Sequence, residues 1–264
     1  MTSVPEVTLA RAQGCLERSI EGMIRRTADA ERVARVGVLC PPLAPRSVPL
    51  VRDKQNRDGG WIDAEDTIWC AALLAGTETG GGSSFSDAVS WLASHRTPVG
   101  AWGRNERDQP RIPLSAIALR FIGDAIGEQA DWQRIDALWS ADLDAEIRLS
   151  YKGGFFLCCQ DSLSDASALA KRTVEYLHSE ANEDGGFGPW KDHPVGSDPW
   201  STGVCLAGLA RFPEIADRVV VGRAVDWLVS TQLPSGYWPC HFIDEGTAYA
   251  YWGLSEALKL LDAL

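Results

Sequence analysis

The feature that most constrains this chain is an internal repeat. Trp91-Leu92 is followed by Trp102 in Gly100-Ala101-Trp102, Tyr176-Leu177 by Phe187 in Gly185-Gly186-Phe187, and Trp227-Leu228 by Trp238 in Gly236-Tyr237-Trp238. In each case the second aromatic stands eleven positions after the first, an offset that also links Leu50 to Trp61 in Gly59-Gly60-Trp61. A weaker copy surrounds Gly153-Gly154-Phe155, so the unit anchors fall near residues 50, 91, 144, 176 and 227. Self-similarity at this period means stacked supersecondary units that share one core.

Each unit opens with an amphipathic segment, such as Ser86 to Leu92 or Arg223 to Leu228, in which apolar residues three and four apart alternate with polar ones. That spacing predicts a helix with one solvated face. After the Gly-x-aromatic turn comes a segment apolar or small nearly all round: Thr67 to Ala75, Ser115 to Ile122, Thr202 to Phe212 and Thr247 to Leu258. A helix without a wet face belongs inside. The alternation predicts an all-α fold, an α/α toroid of five to six helix pairs with inner and outer rings, occupying residues 1–264 as a single domain.

Residues 1–42 form an N-terminal helical extension, with Ser3 and Glu6 spaced as a capping box. Pro41, Pro42, Pro45 and Pro49 are read as a loop, and Gly80-Gly81-Gly82-Ser83-Ser84 as a flexible turn. The formal charge of −11 sets the chain against nucleic acid and anionic membrane surfaces as partners. No apolar run reaches the roughly 20 residues of a spanning helix, and the N-terminus lacks the pattern of a secretory signal. Seven cysteines, with Cys70 and Cys205 in apolar helical segments, suit buried thiols in a reducing cytoplasm.

The units Gln55-Asn56-Arg57-Asp58-Gly59-Gly60-Trp61 and Gln232-Leu233-Pro234-Ser235-Gly236-Tyr237-Trp238 resemble the Gln-Trp repeats of squalene-hopene cyclases. The same repeat superfamily includes prenyltransferase β subunits. The resemblance runs from about residue 43 onward. Asp63-Ala64-Glu65-Asp66-Thr67 resembles the Asp-x-Asp-Asp-Thr motif of class II terpene cyclases, whose middle acid protonates a carbon–carbon double bond. Carried over, Glu65 is the proton donor, a Glu where the family has Asp, and Asp63 and Asp66 support it. Alkene protonation needs a neutral carboxylic acid near neutral pH, which like-charged neighbours and a dry site favour.

A plainer reading stands beside this one. Superposing Thr67, Ser115, Thr202 and Thr247 sets Asp198 opposite Asp63, and Trp200 and Glu245 opposite Glu65. Asp and Thr at helix starts satisfy free backbone N–H groups, so part of the motif is capping. Trp69, Trp200, Tyr249, Tyr251 and Trp252 fall on or before inner helices, where they are either core or a π-rich lining for carbocations; Trp69, Trp200, Tyr249, Trp252, Glu245 and Asp198 are the candidate substrate-binding residues.

The resemblance thus implies acid-initiated cyclisation or isomerisation of an isoprenoid or polyene, with no cofactor and no metal. Class II cyclases place the site between two such domains, so a second protein or a homo-oligomer completes it here, or the substrate fits one cavity. Two alternatives stay open: a zinc-dependent prenyltransferase-like protein, and a non-catalytic toroid that binds an apolar ligand or a protein. The zinc reading lacks its histidine, since Asp66 and Ser201 stand where the Asp-x-x-His-Thr turn needs it, and Cys240-His241 has no usual ligand spacing.

Overall fold

The computed structural model describes residues 3–25, 29–77, 82–160 and 167–262. Among these residues every regular element is helical: α1 (Val4–Arg25), α2 (Ala30–Leu39), a 3-10 turn (Pro41–Leu43), α3 (Ala44–Asp53), α4 (Ala64–Thr77), α5 (Ser83–Ser94), α6 (Ile112–Ile126), α7 (Gln129–Leu143), α8 (Ser150–Cys159), α9 (Ala168–Glu180), α10 (Pro199–Leu209), α11 (Arg218–Thr231) and α12 (Ile243–Asp262). Contacts divide the chain into two compact units, Glu17–Leu138 and Met1–Leu16 with Trp139–Leu264. They are called below the N-terminal and C-terminal units.

Burial alternates as the repeat demands. In α5 only Ala88 and Leu92 are buried, whereas in α4 every residue from Thr67 to Leu74 is. Likewise α11 buries Val221, Ala224, Val225 and Leu228, while α10 buries Ser201 to Leu209 without interruption. The first helix of each pair is therefore held by one apolar stripe and the second by its whole circumference.

The turns between them repeat one design. Gly59, Gly100, Gly185 and Gly236 take φ of 85° to 95°, which L side chains rarely adopt. The indole N–H groups of Trp61, Trp102 and Trp238 donate to the carbonyls of Val51, Leu92 and Leu228 at 3.0, 3.0 and 2.7 Å. The repeat's offset follows from this bond, because the ring must reach the last turn of the preceding helix. The hydroxyls of Thr67, Ser115, Thr202 and Thr247 accept from the backbone N–H of Trp61, Trp102, Phe187 and Trp238 at 2.9 to 3.1 Å. The repeat's glutamine ties each turn onward: Gln55 donates to Gly59 and to Ser84 of α5, and Gln232 to Gly236 and to Thr8 of α1.

Three expectations are revised. The prolines do not mark a loop: Pro41–Leu43 is a 3-10 turn and α3 contains Pro45 and Pro49. Pro45 lies in the first turn, where no N–H is required, and Pro49 deletes one internal bond without ending the helix. Gly153 and Gly154 form no turn either, since both lie inside α8. They allow close helix approach: a Cβ on Gly154 would press on Val204, and one on Gly208 would overlap Gly154. Of the glycine-rich turn, Gly80 and Gly81 lie outside the described residues, Gly82 caps α5, and Ser83 and Ser84 belong to that helix. The N-terminal capping box is formed, with Ser3 N–H donating to Glu6 and Glu6 N–H to Ser3 Oγ.

In the C-terminal unit α8, α10 and α12 pack side by side and run parallel. Tyr151 meets Trp200 and Gly154 meets Val204 and Gly208, while Trp200 meets Tyr249 and Gly203 meets Gly253, so contacts advance in the same direction along each pair. The turns ahead of these helices are therefore brought to one end of that unit.

Candidate functional site

The acidic turn lies in the N-terminal unit at the start of α4. Asp63 acts as a cap: its Oδ1 accepts from Asp66 N–H at 3.0 Å, and its carbonyl accepts from the Thr67 hydroxyl at 2.7 Å. Glu65 is held by two guanidiniums, with Arg35 Nη2 at 3.3 Å from Oε1 and Arg104 Nη2 at 3.1 Å from Oε2. Arg35 is itself buried, pairs with Glu31 and sits over the Trp69 ring at 5.3 Å from its centroid. The Ala64 N–H donates to the Arg104 carbonyl at 3.0 Å, which fixes that arginine's loop against the turn.

Asp66 differs from both neighbours. Burial pushes its carboxyl up to about 7, reinforced by the hydrogen bond and charge of Asp63 and by the charges of Glu65 and Asp29. Three adjacent acids thus have three environments: a cap, an ion pair on both oxygens, and a carboxyl whose proton is retained near neutrality. Trp69 follows one turn later, 2% exposed and 6.5 Å from Phe121.

The remaining candidates lie in the C-terminal unit. Trp200 of α10 contacts Tyr151 and Phe155 of α8 at centroid distances of 4.8 and 5.8 Å, and Tyr249 of α12 at 5.4 Å, all edge-on. Trp252 joins through Tyr249 at 6.3 Å. Asp198 caps α10, accepting from Ser201 N–H at 2.8 Å. Beside them opens a cavity of about 490 Å³ lined by Trp200, Trp227, Phe242, Cys240, Asp198 and Glu245, among others. Among the described residues no three His, Cys, Asp or Glu side chains come together to hold a metal.

Sequence reasoning passed over Arg35, Arg104, Tyr151 and Phe155. Arg35 did carry a signal, being a charge set within the apolar run Val33-Ala34-Arg35-Val36. Phe155 was read as a turn aromatic because its two preceding glycines imitate the repeat. Nothing local marks Arg104, which reaches Glu65 across about 40 residues of chain.

No protein-family model matches the chain, and no curated protein matches it in sequence. Solved structures do match in fold. The type II terpene cyclase MstE from Scytonema, without ligand, superposes with a TM-score of 0.75 at 14% identity, covering 98% of each chain. A variant of MstE in complex with merosterolic acid A (product) gives a TM-score of 0.79 at 16% identity over 97% of this chain and 98% of that one. A protein from Actinoplanes gives 0.76 at 15% identity, over 96% and 99%. The chain therefore has the squalene-hopene cyclase-like α/α toroid fold. No helix among the described residues is long and apolar enough to cross a membrane.

Proposed function

We propose that this chain is a type II terpene cyclase-like enzyme that protonates an isoprenoid or polyene substrate, with Asp66 as the proton donor. The observation that carries the reading is the division of labour at the acidic turn. A donor must be neutral when substrate arrives, and partial burial with acidic neighbours raises the Asp66 carboxyl to about 7. Glu65, at the motif's middle position, lies between Arg35 and Arg104 with an arginine on each carboxyl oxygen. Its role is to anchor the two arginines and to add negative charge beside Asp66. Asp63 orients Asp66 and caps the helix.

The chemistry is balanced without a cofactor. Asp66 gives its proton to one alkene carbon, a C–H bond forms, and the partner carbon becomes cationic. Internal double bonds then attack in turn, and loss of a proton from carbon to water ends the sequence, with water returning a proton to Asp66. The product is an isomer of the substrate. Trp69, with Arg35 already over its face, is assigned to the surroundings of the acid. The fold likeness supports the reading, because an MstE variant has been captured with geranylgeranyl dihydroxybenzoate (substrate) and another with merosterolic acid A (product). Those chains are covered almost end to end, which supports a site built without a second toroid. Six buried cysteines favour a reducing, cytoplasmic setting.

Incubation with isoprenoids of several lengths, followed by mass spectrometry for isomeric products, tests the proposal. Asp66→Asn is expected to lower product formation by about 10² or more, with helicity retained. Glu65→Gln is expected to cost less than about tenfold, because Glu65 transfers no proton on this reading and the amide oxygen still accepts from one of the two arginines. Full activity in Asp66→Asn would sink the assignment, and loss confined to Glu65→Gln would return the donor to that residue.

A further inference from the structure

The cavity of the C-terminal unit has a charge pattern that bears on what it holds. Its wall is mostly apolar, with Trp200, Trp227, Phe242 and Pro239 among its lining, and its volume of about 490 Å³ lies in the range of small-molecule sites. Among the described residues two carboxylates line it, Asp198 and Glu245, no lysine or arginine does, and His241 is the one basic side chain of the lining. A third carboxylate stands directly behind the wall. Asp184 accepts from the Trp227 indole N–H at 2.9 Å and from the Ser197 hydroxyl at 2.6 Å, and both donors line the cavity.

The cavity also opens at the starts of α10 and α12, and helix N-termini ordinarily attract anions. Here those positions are already taken. Asp198 occupies the N-terminus of α10, and the first turn of α12 carries Asp244 and Glu245. A phosphate or carboxylate entering would meet the Asp198 and Glu245 carboxyl groups on the wall and Asp184 behind it, and the Ser201 N–H at the start of α10 is already bonded to Asp198.

We infer that this cavity takes the polar end of an uncharged polyprenyl compound, a hydroxyl or N–H donor, and excludes prenyl diphosphates. A neutral O–H or N–H finds carboxylate acceptors on the wall, and the attached hydrocarbon meets indole and phenyl faces. The identification of a prenyl ligand rests on the cyclase reading; the charge preference rests on the cavity alone.

Farnesol and farnesyl diphosphate share one hydrocarbon and differ in charge, which makes them the probes. Tryptophan fluorescence titrations on the Asp66→Asn protein measure binding with turnover removed. Farnesol is expected to bind at least about tenfold more tightly than the diphosphate at low ionic strength, with the gap narrowing in about 0.5 M salt as the charges are screened. Glu245→Gln is expected to narrow it at low salt as well. Thr231→Trp, which fills the cavity, is expected to weaken farnesol at least about tenfold while leaving helicity intact, and Val195→Trp gives a second block from another side. Equal or tighter binding of the diphosphate overturns the inference, as does binding of neither probe or farnesol binding unaffected by both blocking variants. Selective farnesol binding by a protein that makes no cyclic product from any isoprenoid would instead overturn the cyclase reading and leave the charge preference standing.

Discussion

Asp66 ionises near the ordinary aspartate value of about 4 in the unfolded chain, and only near about 7 in the fold. Between those values the native state holds a proton that the unfolded chain has released. Stability is therefore expected to fall as pH rises from about 4 to about 7 and to level off above that. Denaturant titrations at about pH 5 and about pH 8 read the difference, and Asp66→Asn is expected to flatten it. On the proposed mechanism the same group sets the rate: turnover declines by about tenfold per pH unit above about 7, because the donor is then the minor form. A pH–rate profile flat to about pH 9 would contradict a donor with this titration. The motif could be seen in the sequence, and so could the crowding of three acids. What could not be seen is that Arg35 and Arg104, distant in sequence, would pair with Glu65, or that partial burial would raise the Asp66 carboxyl.

The helix pair gives predictions of another kind. Thr202 Oγ1 accepts from Phe187 N–H at 2.9 Å and donates to the Phe187 carbonyl at 3.1 Å, both buried. Thr202→Val leaves two buried backbone groups without this partner and is expected to cost about 1–3 kcal/mol, a drop in Tm of several degrees by calorimetry for a chain of this size. Thr202→Ser keeps both bonds and is expected to lose less. At Gly203 a Cβ would overlap the Tyr249 carbonyl, a contact with backbone that no side-chain rotation relieves. Gly203→Ala is expected to destabilise by about 3 kcal/mol or more, whereas Gly222→Ala, where a Cβ meets nothing, is expected to be neutral or mildly stabilising. The turn glycines could be read from the repeat because their φ recurs at fixed spacing. Gly153 and Gly154 could not, since glycine before an aromatic looks alike whether it serves a turn or a close helix crossing.

Across the whole chain, the acid-initiated and zinc-dependent readings differ in what they need at the turns. The residue before the repeated hydroxyl is Asp66, Leu114, Ser201 or Gly246 where a zinc-binding turn would need histidine. Turnover is expected to be unchanged after EDTA dialysis, and a loss restored by added zinc would favour the transferase alternative. The net charge of −11 belongs to this scale too, as it opposes association with polyanions and agrees with the acidic wall of the C-terminal cavity.

The sequence by itself determined the periodic fold, because the Gly-x-aromatic turn, its indole bond and its Thr or Ser clamp are local and recur at one spacing. It also determined which helices lack a wet face, since that depends only on the pattern along the chain. Tertiary packing was needed to settle which acid pairs with arginine, how far the Asp66 carboxyl is raised, and which rings meet Trp200. These depend on groups brought together from separate helices, Arg35 and Arg104 in one unit and Tyr151, Phe155 and Tyr249 in the other. A carboxyl's titration follows the charges and burial around it, and no spacing along the chain records those.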